Sequence, residues 1–554
     1  MPVRDLANCN DSAVSRIVCL GAAVKKQQLA ESIPTGLLDF HKSCRLHIHD
    51  FEFYDSTYNC IGVNPSELMK DEEPQRFSAA CNALFRGIIA LTNQQSGGIG
   101  LIDFDRDMAQ YVGDETDADL EEALYQLLLN LNTFVRKGSE RAYVTLNFGL
   151  SVSREGRRVI KALLAAFSRR QFIFPNLVWK IKSGINRHEG DPNYDLFSLA
   201  CQVTSQHMNP TYFNADTSFN QKADPHEIGI MGCRTRVADN RFGKMSARNR
   251  GNVAAVTINP VQMALEAEGD RRRFDGLLKE TMDAARQILL HRFRTLAENG
   301  DFRHVRRYGL YLGAEKKKTE EMLKNGTFSI GFIGLWDALK MLHGVENWTP
   351  QSLRDYSPEA LGMVAGMRRR VDSYGEETGL NFSLLASSAE GVSGRFPRYD
   401  GAHYRNAADV RTRGHYTNSF HIPVETQVTC FEKLELEGPF HSLCNGGHIS
   451  YVELAESPFG NPEAIAQLVE FACNCDVGYF GINFPLDICR VCGRQGTFAS
   501  RCVCGSSDIQ RLRRVSGYLA DVDTFTEGKN NELRLRRQHV FGKNLLNQSE
   551  LPLK

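Results

Sequence analysis

The chain has 554 residues and a mass of 62.2 kDa, enough for three to four domains or one large barrel with additions, at about 150 residues per domain. Its 66 Lys and Arg balance 66 Asp and Glu, which excludes a whole-chain polycation built for nucleic acid. No run reaches the roughly 18 apolar residues of a membrane span, and the opening MPVRDLANCNDSAVS holds no apolar signal core, so a cytoplasmic protein with no membrane partner is expected.

In chain order, residues 117–136 read as an amphipathic helix, with Leu120, Leu124, Leu127, Leu128 and Leu131 at helical spacing. The apolar runs at 142–152 and 252–260 read as buried strands, and 271–298 as a longer helix. Runs at 328–336 and 479–484 complete the set of predicted strands. Strands interleaved with helices over this length predict one large α/β domain. The composition changes after Phe484, where arginines, glycines and cysteines replace the apolar runs, so a boundary is expected there.

Fifteen cysteines, an odd number, argue against a disulfide framework. Cys489 and Cys492 form a Cys-x-x-Cys pair, and Cys502 and Cys504 follow as Cys-x-Cys. Two such pairs on tight turns can present four thiolates tetrahedrally to zinc. A short segment without a core needs such a metal to fold. Free surface thiols and a redox pair are the alternatives, and Cys473 and Cys475 are reserve ligands for the tighter second pair. Arg511, Arg513 and Arg514 beside the pairs keep open a zinc-ribbon nucleic-acid binder.

Gly517 follows in the run Arg514-Val-Ser-Gly517-Tyr518. By itself it is a turn glycine. Near a C-terminus this run resembles the radical loop of glycyl radical enzymes. There a glycine Cα–H is removed and the radical is delocalised between the flanking amides. With cysteine pairs just before it, the chain resembles the anaerobic (class III) ribonucleoside-triphosphate reductases among them. Further blocks carry the resemblance over nearly the whole length: Arg45-Leu-His47-Ile-His49-Asp50 with Tyr54 and Asn59-Cys60; Gly190-Asp-Pro-Asn-Tyr194; Tyr212-Phe-Asn-Ala-Asp216; and Met231-Gly232-Cys233-Arg234-Thr235. Gly251-Asn252, Thr257-Ile-Asn-Pro260, Ala389-Glu-Gly-Val-Ser-Gly-Arg395-Phe396, Tyr416-Thr-Asn-Ser-Phe-His421 and Cys444-Asn-Gly-Gly-His448-Ile-Ser-Tyr451 follow. Gly528-Lys529 with Glu532 and Arg536 lies beyond the glycine. Lyase or dehydratase members of the superfamily are the sister reading.

The resemblance implies a ten-stranded α/β barrel of two half-barrels over residues 1–485, with an inner finger loop at about 226–240. A zinc-binding segment at 486–508 and the glycyl radical loop with its tail at 509–554 would complete the chain. It implies a radical on Gly517, installed by a radical-SAM activating enzyme, and a thiyl radical on Cys233 that takes a hydrogen from the ribose of a ribonucleoside triphosphate. Cys60 would be the second thiol, protonating the leaving hydroxyl. Met231 and Asn252 fit members that use formate as reductant, with Asn259 as a fallback. His47 and His49 alternate, so on a strand both face one side, and His49 is the expected substrate contact. Gly446 and Gly447 are candidate phosphate contacts through backbone N–H groups, and Arg395 a candidate triphosphate charge. Cys44, Cys81, Cys201, Cys430 and Cys444 match no catalytic position and are expected to be packing thiols. A homodimer with nucleotide effectors is expected, without an N-terminal ATP-cone and its dATP switch.

Overall fold

The computed structural model describes residues 13–134, 140–313 and 317–539. Its centre is a sheet of strands β1 (Leu46–Ile48), β2 (Cys60–Val63), β3 (Ile99–Leu101), β4 (Val144–Phe148), β5 (Asn176–Ile181) and β6 (Thr211–Asn214). A two-stranded hairpin follows, β7 (Ile230–Met231) and β8 (Thr235–Arg236). The sheet continues with β9 (Gly251–Ile258), β10 (Thr327–Phe332), β11 (Asn381–Ala386), β12 (Ser450–Glu453) and β13 (Tyr479–Asn483).

Strands β2 to β6 run parallel, each beside the next. Strands β9, β10 and β11 are parallel, as are β12 and β13. The two groups meet antiparallel at β2–β9 and at β6–β13. Two halves of five strands thus form one ten-stranded barrel, and β1 adds antiparallel to β9. The β11–β12 seam closes through the segment before β12. Gly446 N–H donates to Leu384 O at 2.8 Å and Ala386 N–H to Gly447 O at 3.0 Å. Covered on both faces by helices or barrel filling, β4, β5 and β9 are buried along their whole length, which is why they read as continuous runs.

The helix expected at 117–136 is Asp117–Leu131, opened by a capping box of Thr116 and Asp119. Asn132 leaves it because its amide oxygen accepts from Ile173 N and Phe174 N, both at 3.1 Å. Residues 135–136 of that expectation lie outside the described residues. The longer helix is Arg271–Asn299, capped by Asp270. The run 328–336 splits: its strand stops at Phe332, and Gly334 at φ 70° turns the chain into helix Leu335–His343. Periodicity cannot separate two short apolar elements joined this tightly.

The β7–β8 hairpin sits inside the barrel, its tip at Gly232–Arg234. Alternate residues of β4 hold it: Asn147 donates to Ile230 O at 2.9 Å and accepts from Ile230 N at 2.7 Å, and Thr145 Oγ1 donates to Gly232 O at 3.1 Å. Beyond β13, strands β14 (Leu486–Cys489), β15 (Gln495–Gly496), β16 (Ile509–Arg514) and β17 (Leu519–Asp521) form an antiparallel sheet in the order β15-β14-β16-β17. Residues 515–518 are the turn between β16 and β17, closed by Val515 N–H to Tyr518 O at 3.1 Å. Leu486 and Leu519 belong to the same hydrophobic core as the barrel, so this sheet packs as part of the molecule. Among the described residues no helix is long and apolar enough to cross a membrane.

Candidate active site

Residues almost 300 positions apart in sequence meet at the hairpin tip. The Gly517 turn lies directly on Cys233: a Cβ built on Gly517 would overlap the Cys233 carbonyl group and Cα. Its φ is not in the left-handed region, so space rather than torsion demands glycine here. The buried Arg514 donates to Gly517 O at 3.0 Å and to Asn483 Oδ1 at 2.7 Å. Tyr451 Oη donates to Ser516 O. Glu390 accepts from Ser516 Oγ at 2.7 Å and from Tyr518 Oη at 2.8 Å, so one carboxylate ties down both neighbours of Gly517. The Tyr518 ring stacks on Phe174, with centroids 5.5 Å apart, and meets Tyr143 edge-on. Burial, with Glu390 beside it, pushes the Tyr518 hydroxyl well above its ordinary value and keeps it a donor.

Cys60 lies across the ladder from Asn252, in an antiparallel pair that puts the two side chains on one face. Cys60 Sγ donates to Asn59 Oδ1 at 2.7 Å and accepts from Gly98 N at 3.2 Å. Burial, with Cys233 nearby, pushes the Cys60 thiol up to about 12. Asn252 Nδ2 donates to Ser329 Oγ at 2.7 Å and Thr327 Oγ1 at 3.1 Å. Met231 packs with Cys60, Ile102, Val237 and Ala247 beneath the tip. Asn259 does not join this group. It caps helix Pro260–Ala267 and donates to Cys44 O and Asp400 Oδ2.

A cavity of about 340 Å³ borders the loop, lined among others by Lys26, His47, His49, Asp50, Glu390 and Arg395. His47 and His49 do share a face, with ring centroids 4.9 Å apart. His49 Nε2 meets Thr257 Oγ1 at 2.7 Å. Arg395 donates to His47 Nδ1 and, at 2.7 Å, to His41 O. Burial pushes His47 and His41 well below their ordinary value, so both are neutral beside the guanidinium. Gly446 and Gly447 have a different employment from the phosphate contact expected of them. Their N–H groups donate to Leu384 O and Cys444 O, and a Cβ on Gly447 would overlap the Arg234 carbonyl. They close the barrel seam against the finger loop. The spare thiols are packing residues: Cys44, Cys81, Cys201, Cys430 and Cys444 are buried, and burial pushes the thiol of each upward.

Cys489, Cys492, Cys502 and Cys504 converge, all four sulfurs within 4.8 Å of one another. Cys489 and Cys504 are 3.6 Å apart, as are Cys492 and Cys502. Tetrahedral zinc with Zn–S near 2.3 Å needs sulfurs about 3.8 Å apart, so the cage fits that ion. Gly493 and Gly505 turn each knuckle at φ 72° and 89°. The backbone N–H groups of Cys492 and Val491 draw the Cys489 thiol down to about 6. Cys473 and Cys475 lie outside this cluster, at the end of helix Pro462–Asn474. The arginines offered for nucleic acid are engaged internally: Arg511 and Arg513 pair with the buried Asp487 at 2.8 and 2.9 Å, and Arg514 holds the glycine turn.

The roles of Glu390, Tyr451, Arg514 and Asn59 are not legible in the sequence, although each lies in a block that the sequence singles out. Their partners are 65 to 128 positions away in the first two cases, and no local pattern reports such contacts.

The family model for anaerobic ribonucleoside-triphosphate reductases matches residues 7–539. The reductase of that name from Escherichia coli K12 is 28% identical, over 95% of this chain and 81% of its own. The phage T4 enzyme is 27% identical over 97% of each chain. The anaerobic ribonucleotide reductase of Thermotoga maritima, solved with dATP and CTP, superimposes with a TM-score of 0.71 at 16% identity, over 95% of this chain and 92% of that one. A match of this extent, on a barrel that seats a glycine turn against a finger-loop cysteine, shows that the chain belongs to the anaerobic ribonucleoside-triphosphate reductase family.

Proposed function

We propose that Gly517 stores the radical and that Cys233 uses it to reduce ribonucleoside triphosphates with formate as the electron source. The observation that carries this reading is the seating of the Gly517 backbone on Cys233 with no room for a side chain between them. A hydrogen atom passes from the Cys233 thiol to the glycyl radical, and the thiyl radical takes the ribose 3′ hydrogen. The C3′ radical makes the neighbouring C–O bond labile. Cys60, held as a thiol on the same face as Asn252, protonates the departing 2′-hydroxyl. Formate then supplies two electrons and leaves as carbon dioxide, near Asn252 and Met231. The cavity beside His49 and Arg395 takes the nucleotide, with Arg395 as a counter-charge for phosphate.

Zinc held by the four thiolates contributes folding energy to the segment that carries the glycine turn. Four metal-ready thiols and an air-sensitive radical suit a reducing, anoxic cytoplasm. A radical-SAM activating enzyme installs the radical, a homodimer is the working unit, and deoxynucleotides or ATP act as effectors. The decisive experiment is anaerobic activation followed by an electron-spin spectrum and turnover with and without formate. Expected are a doublet lost in Gly517→Ala and turnover that stops without formate and is not restored by thioredoxin. Opened to air, the activated protein should break at Gly517, because a peroxyl radical at that Cα cleaves the backbone; a cut elsewhere overturns the assignment.

A further inference from the structure

Asp50 is an acid that the radical chemistry leaves unused, and its surroundings are unusual. It follows β1 in the left-handed region, at φ 51° and ψ 49°, and stands at the N-cap of the short helical turn Phe51–Phe53. An Asp at such a position ordinarily bonds the turn's own N–H groups. This one makes no such bond. Its Oδ2 instead accepts from Asn59 Nδ2 and, at 2.9 Å, from Ser96 Oγ. The buried Arg292, which donates to His49 O at 2.9 Å, is an electrostatic partner of Asp50.

An ionised carboxylate only accepts hydrogen bonds, so it decides which end of the Asn59 amide faces it. The NH₂ group must point to Asp50, and Oδ1 must point the other way. On that side lies Cys60 Sγ, at 2.7 Å from Oδ1. The oxygen can only accept, so the sulfur must keep its proton in order to bond it. With the amide reversed, an N–H would face the sulfur and favour the thiolate. Among the described residues the N–H that reaches the sulfur is that of Gly98, at 3.2 Å. The other titratable groups facing this thiol are Cys233, Asp50 itself and the hydroxyls of Tyr58, Tyr143 and Tyr311, and Thr235 adds a hydrogen bond that favours the thiolate.

We propose that Asp50 and Asn59 form a positioning pair that adds to burial in holding Cys60 in its protonated form, Asp50 by locking the amide and Asn59 by presenting only its oxygen to the sulfur. This rests on Cys60 being the proton donor of the reaction, where a thiolate would be useless for the first step. Asn59 touches the thiol, and Asp50, which also lines the cavity, acts on it through the amide. The pair's effect is on the protonation state of Cys60 before any nucleotide arrives.

The test uses the intact, zinc-loaded, radical-free protein and iodoacetamide as probe. The rate of Cys60 alkylation, read on its own peptide by mass spectrometry, is followed against pH. Because burial already holds this thiol at about 12, the profile is followed on its rising limb from about pH 7 to 10, where its displacement reports the change in midpoint, and access is read separately by amide exchange across residues 58–62. Asp50→Ala and Asn59→Ala should each lower the midpoint by at least about one unit, which raises the rate about tenfold at any pH below both midpoints. The two variants read one interaction from opposite ends, so either decides if the other does not fold. Asp50→Asn removes the charge but leaves an oxygen that can accept from both Asn59 and Ser96. It should move the midpoint by less than half as much. Unmoved midpoints in the alanine variants overturn the proposal. Equal shifts in Asp50→Asn and Asp50→Ala with none in Asn59→Ala reduce the effect to charge and also overturn it. No radical is involved in these measurements, so they stand apart from the separate question whether Cys60→Ala loses turnover.

Discussion

Removal of Glu390 should loosen the glycine turn by an amount that follows from two hydrogen bonds. The carboxylate accepts from Ser516 Oγ at 2.7 Å and from Tyr518 Oη at 2.8 Å. Glu390→Ala leaves both hydroxyls in residues only 1% and 2% exposed, with no carboxylate to meet them. Hydrogen bonds to a charged group contribute about 1.5–3 kcal/mol each, so the closed turn loses about 3–6 kcal/mol against an open one in which both hydroxyls meet water. Water entering the vacated space offsets part of the loss, and about 3 kcal/mol is the working figure. At about 1.4 kcal/mol per decade, the open fraction rises about 100-fold. The assay is amide hydrogen exchange of the radical-free protein on peptides spanning residues 514–519, where Val515 N–H reports closure. Glu390→Gln keeps an acceptor and adds an N–H that either hydroxyl oxygen can accept, so its exchange should rise by no more than about tenfold. If Glu390→Ala exchanged within about threefold of the parent protein, the reasoning would be refuted.

Three further outcomes are expected. Cys502→Ser and Cys504→Ser should each lose most of about one zinc per chain by elemental analysis while the barrel's far-UV signal is kept; full zinc content in both would remove the four-thiol assignment. Cys233→Ala and Cys60→Ala should each accept a radical at Gly517, seen by electron-spin spectroscopy, yet fall by at least about 1,000-fold in deoxynucleotide formation; normal turnover in either means the wrong thiol. Burial, with Asp103 beside it, pushes the Asp105 carboxyl up to about 6, so the native state binds more protons than the unfolded chain between about pH 4 and 6. That contribution to stability is present below the window and is lost as pH rises through it. Asp105→Asn should therefore gain on the parent in urea-unfolding free energy from about pH 4 to 6, with a constant difference above about 7; a gap that does not vary with pH counts against it.

Much of this architecture is legible in short stretches of chain. The four clustered thiols lie within 16 residues, and a cage closed by adjacent knuckles needs only local spacing. The helices at 117 and 271 follow from leucine periodicity and caps, because those signals act within a turn or two. Gly517, Cys233, Cys60, Met231 and Asn252 stand out through the blocks around them, and the fold brings all five to the hairpin tip or its rim. Which end of an apolar run turns into helix is not legible, as 328–336 shows. There, one glycine in the left-handed region decides, and apolar content is the same on both sides of it.

Assignments that depend on direction rather than identity come only from the folded chain. Gly446 and Gly447 look like a phosphate cradle until their N–H groups are found bonded within the barrel seam. Asn259 stands as a fallback to Asn252 until it is found capping a helix while Asn252 pairs with Cys60. Glu390 and Asp50 are unremarkable acids in sequence, yet one holds both neighbours of the glycine and the other orients the amide beside a thiol. A hydrogen bond needs donor and acceptor within about 3 Å and correctly aimed. Residue type decides what a side chain is able to donate or accept, and only the packing of distant segments decides which partner it faces.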